Sequence, residues 1–136
     1  MMERHEIFVS ARDAEALAAM LADHRRTQPF EADASDELAD LLMDARLVPA
    51  ELLPDDRVAL GCAVTYEEQP SGRRRSVTLV LPAEADAAKA RISVLSPIGL
   101  ALLGRRQGEA VTANMPNRGS LSVRIVDTLH AMPKAA

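Results

Sequence analysis

Aromatic residues are scarce in this sequence. Only Phe8, Phe30 and Tyr66 occur among its 136 residues, and there is no tryptophan. Modules that read single-stranded nucleic acid stack bases on aromatic side chains, so the composition argues against an RNA-reading module and against sequence-specific binding of nucleic acid. The core must instead be built from Val, Leu, Ile, Met and Ala.

A long apolar run and a second cysteine are also lacking. The first ten residues include the acidic Glu3 and Glu6, and they contain no run long enough for a signal peptide or a transmembrane helix. Cys62 stands alone and cannot form an internal disulfide. It falls in a strand-like run, where we expect a small buried apolar side chain. We therefore expect a cytoplasmic protein without a membrane partner.

Residue groups that would carry catalysis are missing as well. His5, His24 and His130 lie far apart and lack metal-ligand spacing. Cys62 has no neighbouring base to activate it, and the glycines fall singly rather than in a phosphate-binding loop. The sequence predicts a protein that is not an enzyme and has no catalytic residue, metal or cofactor.

The proportions of hydrophobic and charged residues are those of a folded protein, and the charges are unevenly distributed along the chain. Hydrophobic residues make up 48% and charged residues 26% of the chain. Residues 1–56 hold 14 acidic and 5 basic residues, whereas residues 57–136 hold 6 acidic and 11 basic ones. Two solvated surfaces would explain this split, and a partner bearing both signs of charge would explain it too.

Two amphipathic helices are predicted near the amino terminus, at about 11–25 and 35–47. Their apolar residues recur at three- and four-residue steps, and the short link between them predicts an antiparallel hairpin within residues 1–50. Each helix is only roughly 20 Å long at 1.5 Å per residue. The helix starts carry residues that commonly act as caps: Ser10 with Asp13 in a capping box, and Ser35 or Asp33.

After an acidic connector at 51–56, residues 57–130 show the two-residue period of β-strands. Strand runs lie at about 58–66, 77–81, 92–95, 110–115 and 121–129, and 131–136 is a tail without pattern. Ser96-Pro97 opens a short helix that ends at Gly104. The predicted fold class is α+β, with a helical hairpin followed by a mostly antiparallel sheet of four or five strands and one short helix.

The segment ISVLSPIGLALLGRRQGEAV at 92–111 resembles the signature of the carboxy-terminal domain of the Gre transcript-cleavage factor family (GreA/GreB). In both, a strand is followed by Ser-Pro, a helix ending in Leu-Leu-Gly, and then Gly and an acid before the next strand. The resemblance covers about 57–130 and implies an FKBP-like fold. It also implies RNA polymerase as the partner, bound at the rim of its secondary channel by a monomeric, bacterial protein. It assigns docking to residues in and after the Ser-Pro helix: Ser96, Pro97, Ile98, Gly99, Arg105 and Arg106.

The short hairpin resembles that of the Rnk branch of the family, which is named for regulation of nucleoside diphosphate kinase. Gre factors carry a hairpin several times longer, whose acidic tip holds a catalytic magnesium in the polymerase channel. A hairpin of roughly 20 Å cannot reach that point from the same docking site. We therefore predict a competitor of Gre factors that does not stimulate transcript cleavage, with a second contact at the hairpin tip around Phe30, Glu31 and Asp33.

Two other functions fit the same resemblance. FKBP-like domains often have prolyl isomerase activity, although this one offers only Tyr66 as an aromatic wall. An interaction with nucleoside diphosphate kinase or another metabolic enzyme rests on the name of the Rnk branch alone. The acids near the tip could gather a metal ion, but complementing the helix dipole explains Asp33 and its neighbours better.

Overall fold

The computed structural model describes residues 6–27, 32–115 and 119–130. Two long helices come first, and a sheet with a short helix follows, so the predicted α+β class is confirmed. The helices are α1 (Ala11–Thr27), α2 (Ala32–Asp44) and α3 (Pro97–Leu102). The strands are β1 (Phe8–Ser10), β2 (Arg46–Val48), β3 (Ala63–Gln69), β4 (Arg74–Val80), β5 (Arg91–Ser93), β6 (Ala110–Met115) and β7 (Gly119–Leu129).

The main sheet has the strand order β5-β4-β3-β7-β6. All its pairings are antiparallel except that of β4 with β5. The predicted strand at 58–66 begins later, at Ala63. The chain before it turns at Gly61, which has a φ of +80°, while the N–H of Val58 donates to the carbonyl of Arg105. Alternating apolar residues in 58–62 therefore reflect burial in a turn rather than a strand.

The second predicted helix differs most from the structure. It begins at Ala32 rather than 35 and ends at Asp44 rather than 47. Asp33 and Ser35 both lie inside it, so the expectation that one of them caps the helix is wrong. Residues 46–48 form β2, which pairs in parallel with β1. The pairing joins the two ends of the hairpin. Because its hydrogen bonds link segments distant in the sequence, they override the local helical pattern at residues 46–47.

One hydrophobic core serves the hairpin and the sheet. Leu17 of α1 and Leu38 of α2 are fully buried, and both belong to the cluster that contains Val64, Leu102 and Ile125. Ser10 caps α1 as predicted, since its Oγ accepts from the N–H of Asp13 at 3.0 Å. The Asp13 carboxylate accepts instead from the N–H of Leu60 at 3.1 Å, which ties α1 to the sheet domain.

No helix within the described ranges is long and apolar enough to cross a membrane.

Candidate interaction site

The Ser-Pro turn that opens α3 is built from side chain to backbone contacts. The Oγ of Ser96 accepts from the N–H of Gly99 at 3.1 Å and donates to the carbonyl of Ser93 at 2.7 Å. A Cβ at Gly99 would collide with that same carbonyl. Ser96 and Gly99 therefore shape the turn, and Gly99 is buried, so it can support a docking surface without contacting a partner.

Pro97 and Ile98 are half-buried at the start of α3 and line different grooves. Ile98 lines a groove of about 550 Å³ at the end of the sheet, called here the Ile98 groove. Pro97 lines a groove of about 240 Å³ between α2, α3 and β6, called the β6 groove. The turn thus separates two concave surfaces, each with its own polar surroundings.

The Ile98 groove has an apolar floor and a charged rim. Its floor is formed by residues from five strands and α3: Tyr66, Val77, Ile92, Ile98, Met115 and Leu121. At the rim, Arg75 donates to Glu68 at 2.8 Å. Burial, with a smaller contribution from the Glu68 carboxylate, raises the pKa of the Tyr66 hydroxyl above its ordinary value, so this side chain stays neutral. The groove can therefore accept an apolar side chain of a partner whose surface carries charge around it.

Arg105 and Arg106 do not join this surface. They follow the carboxy-terminal end of α3, roughly 9 Å along the helix from its start at 1.5 Å per residue. Arg105 pairs with Glu109 at 2.9 Å, and the side chain of Glu109 is only 6% exposed. Arg106 is exposed and forms a bridge through its backbone with Arg57. The six docking candidates thus divide between the two ends of α3.

Arg57 belongs to no sequence motif, yet its side chain connects distant parts of the chain. It is only 9% exposed, and its Nη1 donates to the carbonyls of Glu6 at 2.6 Å and Gly104 at 3.1 Å. Its guanidinium lies 4.1 Å from the centre of the Phe8 ring. Burial lowers its pKa from the ordinary value. Arg57 fixes the start of the hairpin to the end of α3, and no local sequence signal marks contacts this distant.

Of the tip candidates, Phe30 and Glu31 lie outside the described residues. Asp33 is exposed in the first turn of α2 and lines the β6 groove together with Pro97, so the structure brings this acid close to the Ser-Pro turn. Within the described part of the chain, no group of three or more His, Cys, Asp or Glu side chains could hold a metal ion.

Comparison with known protein families identifies the family to which the sheet domain is similar. The family described as "Transcription elongation factor, GreA/GreB, C-term" matches residues 53–129, which is more than half of the chain. The chain belongs to the GreA/GreB family. The match contains the Ile98 groove, the Ser-Pro turn and Arg57, whereas the hairpin, which supplies one wall of the β6 groove, lies before it.

Other members of the GreA/GreB family show how much of each protein is shared. The transcription elongation factor GreA of Desulfovibrio desulfuricans is 38% identical over 81 residues, covering 60% of this chain and 49% of that protein. GreA of Bacillus licheniformis is 38% identical over 89 residues, covering 65% and 56%. The chain therefore spans about half the length of the curated relatives it matches. A solved GreA/GreB elongation factor from Nitrosomonas europaea is 33% identical with a TM-score of 0.74, covering 93% of this chain and all of that one.

Proposed function

We propose that this protein binds RNA polymerase at the rim of the secondary channel and competes there with cleavage-stimulating Gre factors, without stimulating cleavage itself. Membership of the GreA/GreB family through residues 53–129 supports the polymerase as partner. The short hairpin is the observation that carries the rest of the proposal. The protein is then a non-enzymatic regulator that acts by occupying a site.

The dimensions of the hairpin support the absence of cleavage stimulation. α1 has 17 residues and α2 has 13, which gives lengths of roughly 25 and 20 Å at 1.5 Å per residue. The hairpin also does not stand away from the sheet domain. Ser35 and Leu38 of α2 are buried, and Asp33 shares the β6 groove with α3. With α2 packed against its own domain, this short hairpin does not project toward a distant active centre, which supports the absence of cleavage stimulation.

The Ile98 groove is the surface we assign to the polymerase. It offers an apolar floor that includes the half-buried Ile98, with Arg75 and Glu68 at its rim. Buried apolar anchors surrounded by charged rims are the usual energetic centres of protein interfaces. Arg105 and Arg106 at the far end of α3 would act as a peripheral contact and contribute less.

A binding experiment with one matched pair of variants tests this surface. In pull-down of bacterial core RNA polymerase, Ile98→Glu should lose binding because it places a charge over the apolar floor. Met43→Glu, at a residue 84% exposed on α2, should bind as the wild type does. Equal binding of both variants would refute the assignment of the Ile98 groove.

A transcription assay tests the competition. With backtracked elongation complexes, the chain alone should leave transcript cleavage at the intrinsic rate of the polymerase. In excess over a cleavage-competent Gre factor, it should reduce the stimulated rate, and Ile98→Glu should lose this effect. Cleavage that rises with the chain alone would overturn the proposal that the hairpin is too short.

A further inference from the structure

The last strand in the sheet order, β6, has a free edge. The N–H of Ile125 in β7 donates to the carbonyl of Glu109, just before β6, and the register continues without a shift to the end of the strand. Antiparallel neighbours alternate between hydrogen-bonded and non-hydrogen-bonded pairs. Thr112 and Asn114 fall in the non-hydrogen-bonded pairs, so both direct their N–H and C=O groups away from β7.

These outward groups are open to another strand. Among residues 6–27, 32–115 and 119–130, no strand pairs with this side of β6, and no other backbone group bonds to Thr112 or Asn114 there. The strand sequence AVTANM contains no charged residue and no proline. Charges and prolines are the features that usually protect a free edge from pairing.

The β6 groove runs along this edge. Thr112, Ala113 and Asn114 all line it, although Ala113 is 1% exposed and the other two are exposed on the opposite face. Side chains of successive strand residues point to opposite faces. The side chains of three consecutive residues therefore cannot all reach one groove. The groove must instead run along the strand edge, where it meets their backbone atoms.

The opposite wall of the β6 groove determines which partner fits. Asp33 and Glu37 lie one turn apart on α2, both are exposed, and the described lining contains no basic side chain. Apolar surface between the walls comes from Ala34, Pro97 and Leu100. The groove thus combines unpaired backbone groups, apolar surface and negative charge.

We propose that the β6 groove binds an extended, basic peptide segment of a partner protein as an additional strand. The peptide backbone pairs with the outward groups of Thr112 and Asn114, and its lysine or arginine side chains face Asp33 and Glu37. Backbone pairing gives affinity and the flanking side chains give specificity in such complexes. This site is separate from the Ile98 groove and does not depend on binding to RNA polymerase.

The test uses a peptide of about seven residues in which lysine and valine alternate, added to the full isotope-labelled chain and followed by NMR. The amides of Thr112 and Asn114 should shift and exchange more slowly. Thr112→Pro removes an outward N–H that β7 does not use, and it should weaken binding roughly tenfold, as expected for one or two lost hydrogen bonds. Thr112→Val keeps the N–H and should bind as the wild type does.

Three further measurements leave the fold of the strand untouched. Glu37→Lys should weaken binding by about threefold, in keeping with an exposed ion pair. Two peptides are methylated on alternate backbone nitrogens. Methylation of the set whose N–H groups face β6 should abolish binding, and methylation of the other set should have little effect. A peptide of alternating glutamate and valine should bind more weakly than the basic one.

Three results would overturn the proposal: unchanged Thr112 and Asn114 amides with the basic peptide, equal binding of the acidic peptide, or equal binding of both methylated peptides. A concentration-dependent dimer that Thr112→Pro abolishes would assign the edge to a second copy of this chain, and it would also refute a basic partner peptide.

Discussion

Replacing Arg57 tests whether the hairpin is fastened to the sheet domain by a buried cation. The guanidinium donates to the carbonyls of Glu6 and Gly104 and lies 4.1 Å from the Phe8 ring centre. Hydrogen bonds from charged groups contribute about 1.5–3 kcal/mol each, and a partly desolvated cation–π contact adds about 1 kcal/mol. The gross contribution is therefore roughly 4–7 kcal/mol.

Two costs reduce that sum. Burial disfavours the charged guanidinium, as the lowered pKa of Arg57 indicates, and its buried Nε has no hydrogen-bond partner in the described part of the chain. An unsatisfied buried group costs about 1–3 kcal/mol. Arg57→Met keeps the apolar stem and removes the charge, so we expect it to lower the free energy of unfolding by about 2–3 kcal/mol, which corresponds to a fall in Tm of roughly 6–12 °C for a chain of this size.

Urea unfolding and amide exchange together measure this effect. The N–H of Phe8 donates to Gly104 and that of Arg46 donates to Ile7, so both amides should exchange faster in Arg57→Met. Arg106→Met, at the exposed residue bridged to Arg57, is the control and should change stability by about 0.5 kcal/mol or less. If Arg57→Met equals the control or is more stable than the wild type, the desolvation cost exceeds the contacts and the reasoning is refuted.

Other substitutions are expected either to lower or to raise the stability of the fold. Burial raises the pKa of Asp13 above 3.8, so the folded chain binds this proton more tightly than the unfolded chain. The free energy of unfolding of the wild type should therefore fall as pH rises from 3.8 through the raised pKa. Asp13→Asn still accepts the hydrogen bond from Leu60 but has no proton to lose, so its free energy of unfolding should not fall in this range. Urea unfolding of both proteins at several pH values measures the difference. Ser35→Ala removes a buried Oγ without a partner among the described residues and should leave Tm unchanged or raise it; a fall would reveal a contact of that hydroxyl. Gly99→Ala should cost about 2 kcal/mol or more because its Cβ meets the Ser93 carbonyl. At Gly61 an added Cβ would meet open space, but the φ is +80°, so Gly61→Ala should lower the free energy of unfolding by only about 1 kcal/mol. Equal urea unfolding midpoints for the two alanine variants would argue against a collision at Gly99.

Elements set by short-range signals were predictable from the sequence. Ser96-Pro97 predicted the start of α3, and the capping hydrogen bond from Gly99 confirms it. The neighbouring strand runs predicted at about 58–66 and 77–81 overlap β3 and β4, which pair as an antiparallel hairpin. In both cases the signal and the structure lie within a few residues, so side chain and backbone preferences suffice.

Features made by distant contacts were missed or misassigned. The helical pattern extends to residue 47, but residues 46–48 form β2, because pairing with β1 joins residues 38 positions apart in the sequence, as in Phe8 with Arg46. Asp13 was expected to complete a capping box, yet its carboxylate accepts from Leu60 across the domain boundary. No local sequence pattern marks Arg57, because only the folded chain brings Phe8 and Gly104 to its guanidinium.

The shared core decides how the role of the hairpin can be tested. Leu17, Leu21 and Leu38 are buried in the same cluster as the sheet residues, and burying a leucine contributes about 1.5–3 kcal/mol. Deleting residues 11–47 would remove all three and expose the apolar face of the sheet domain. A loss of polymerase binding would then report unfolding as readily as a lost contact. Charge reversal of the exposed Asp33 or Glu37 leaves those leucines in place, so it separates a contact made by α2 from the structural support that the hairpin gives to α3.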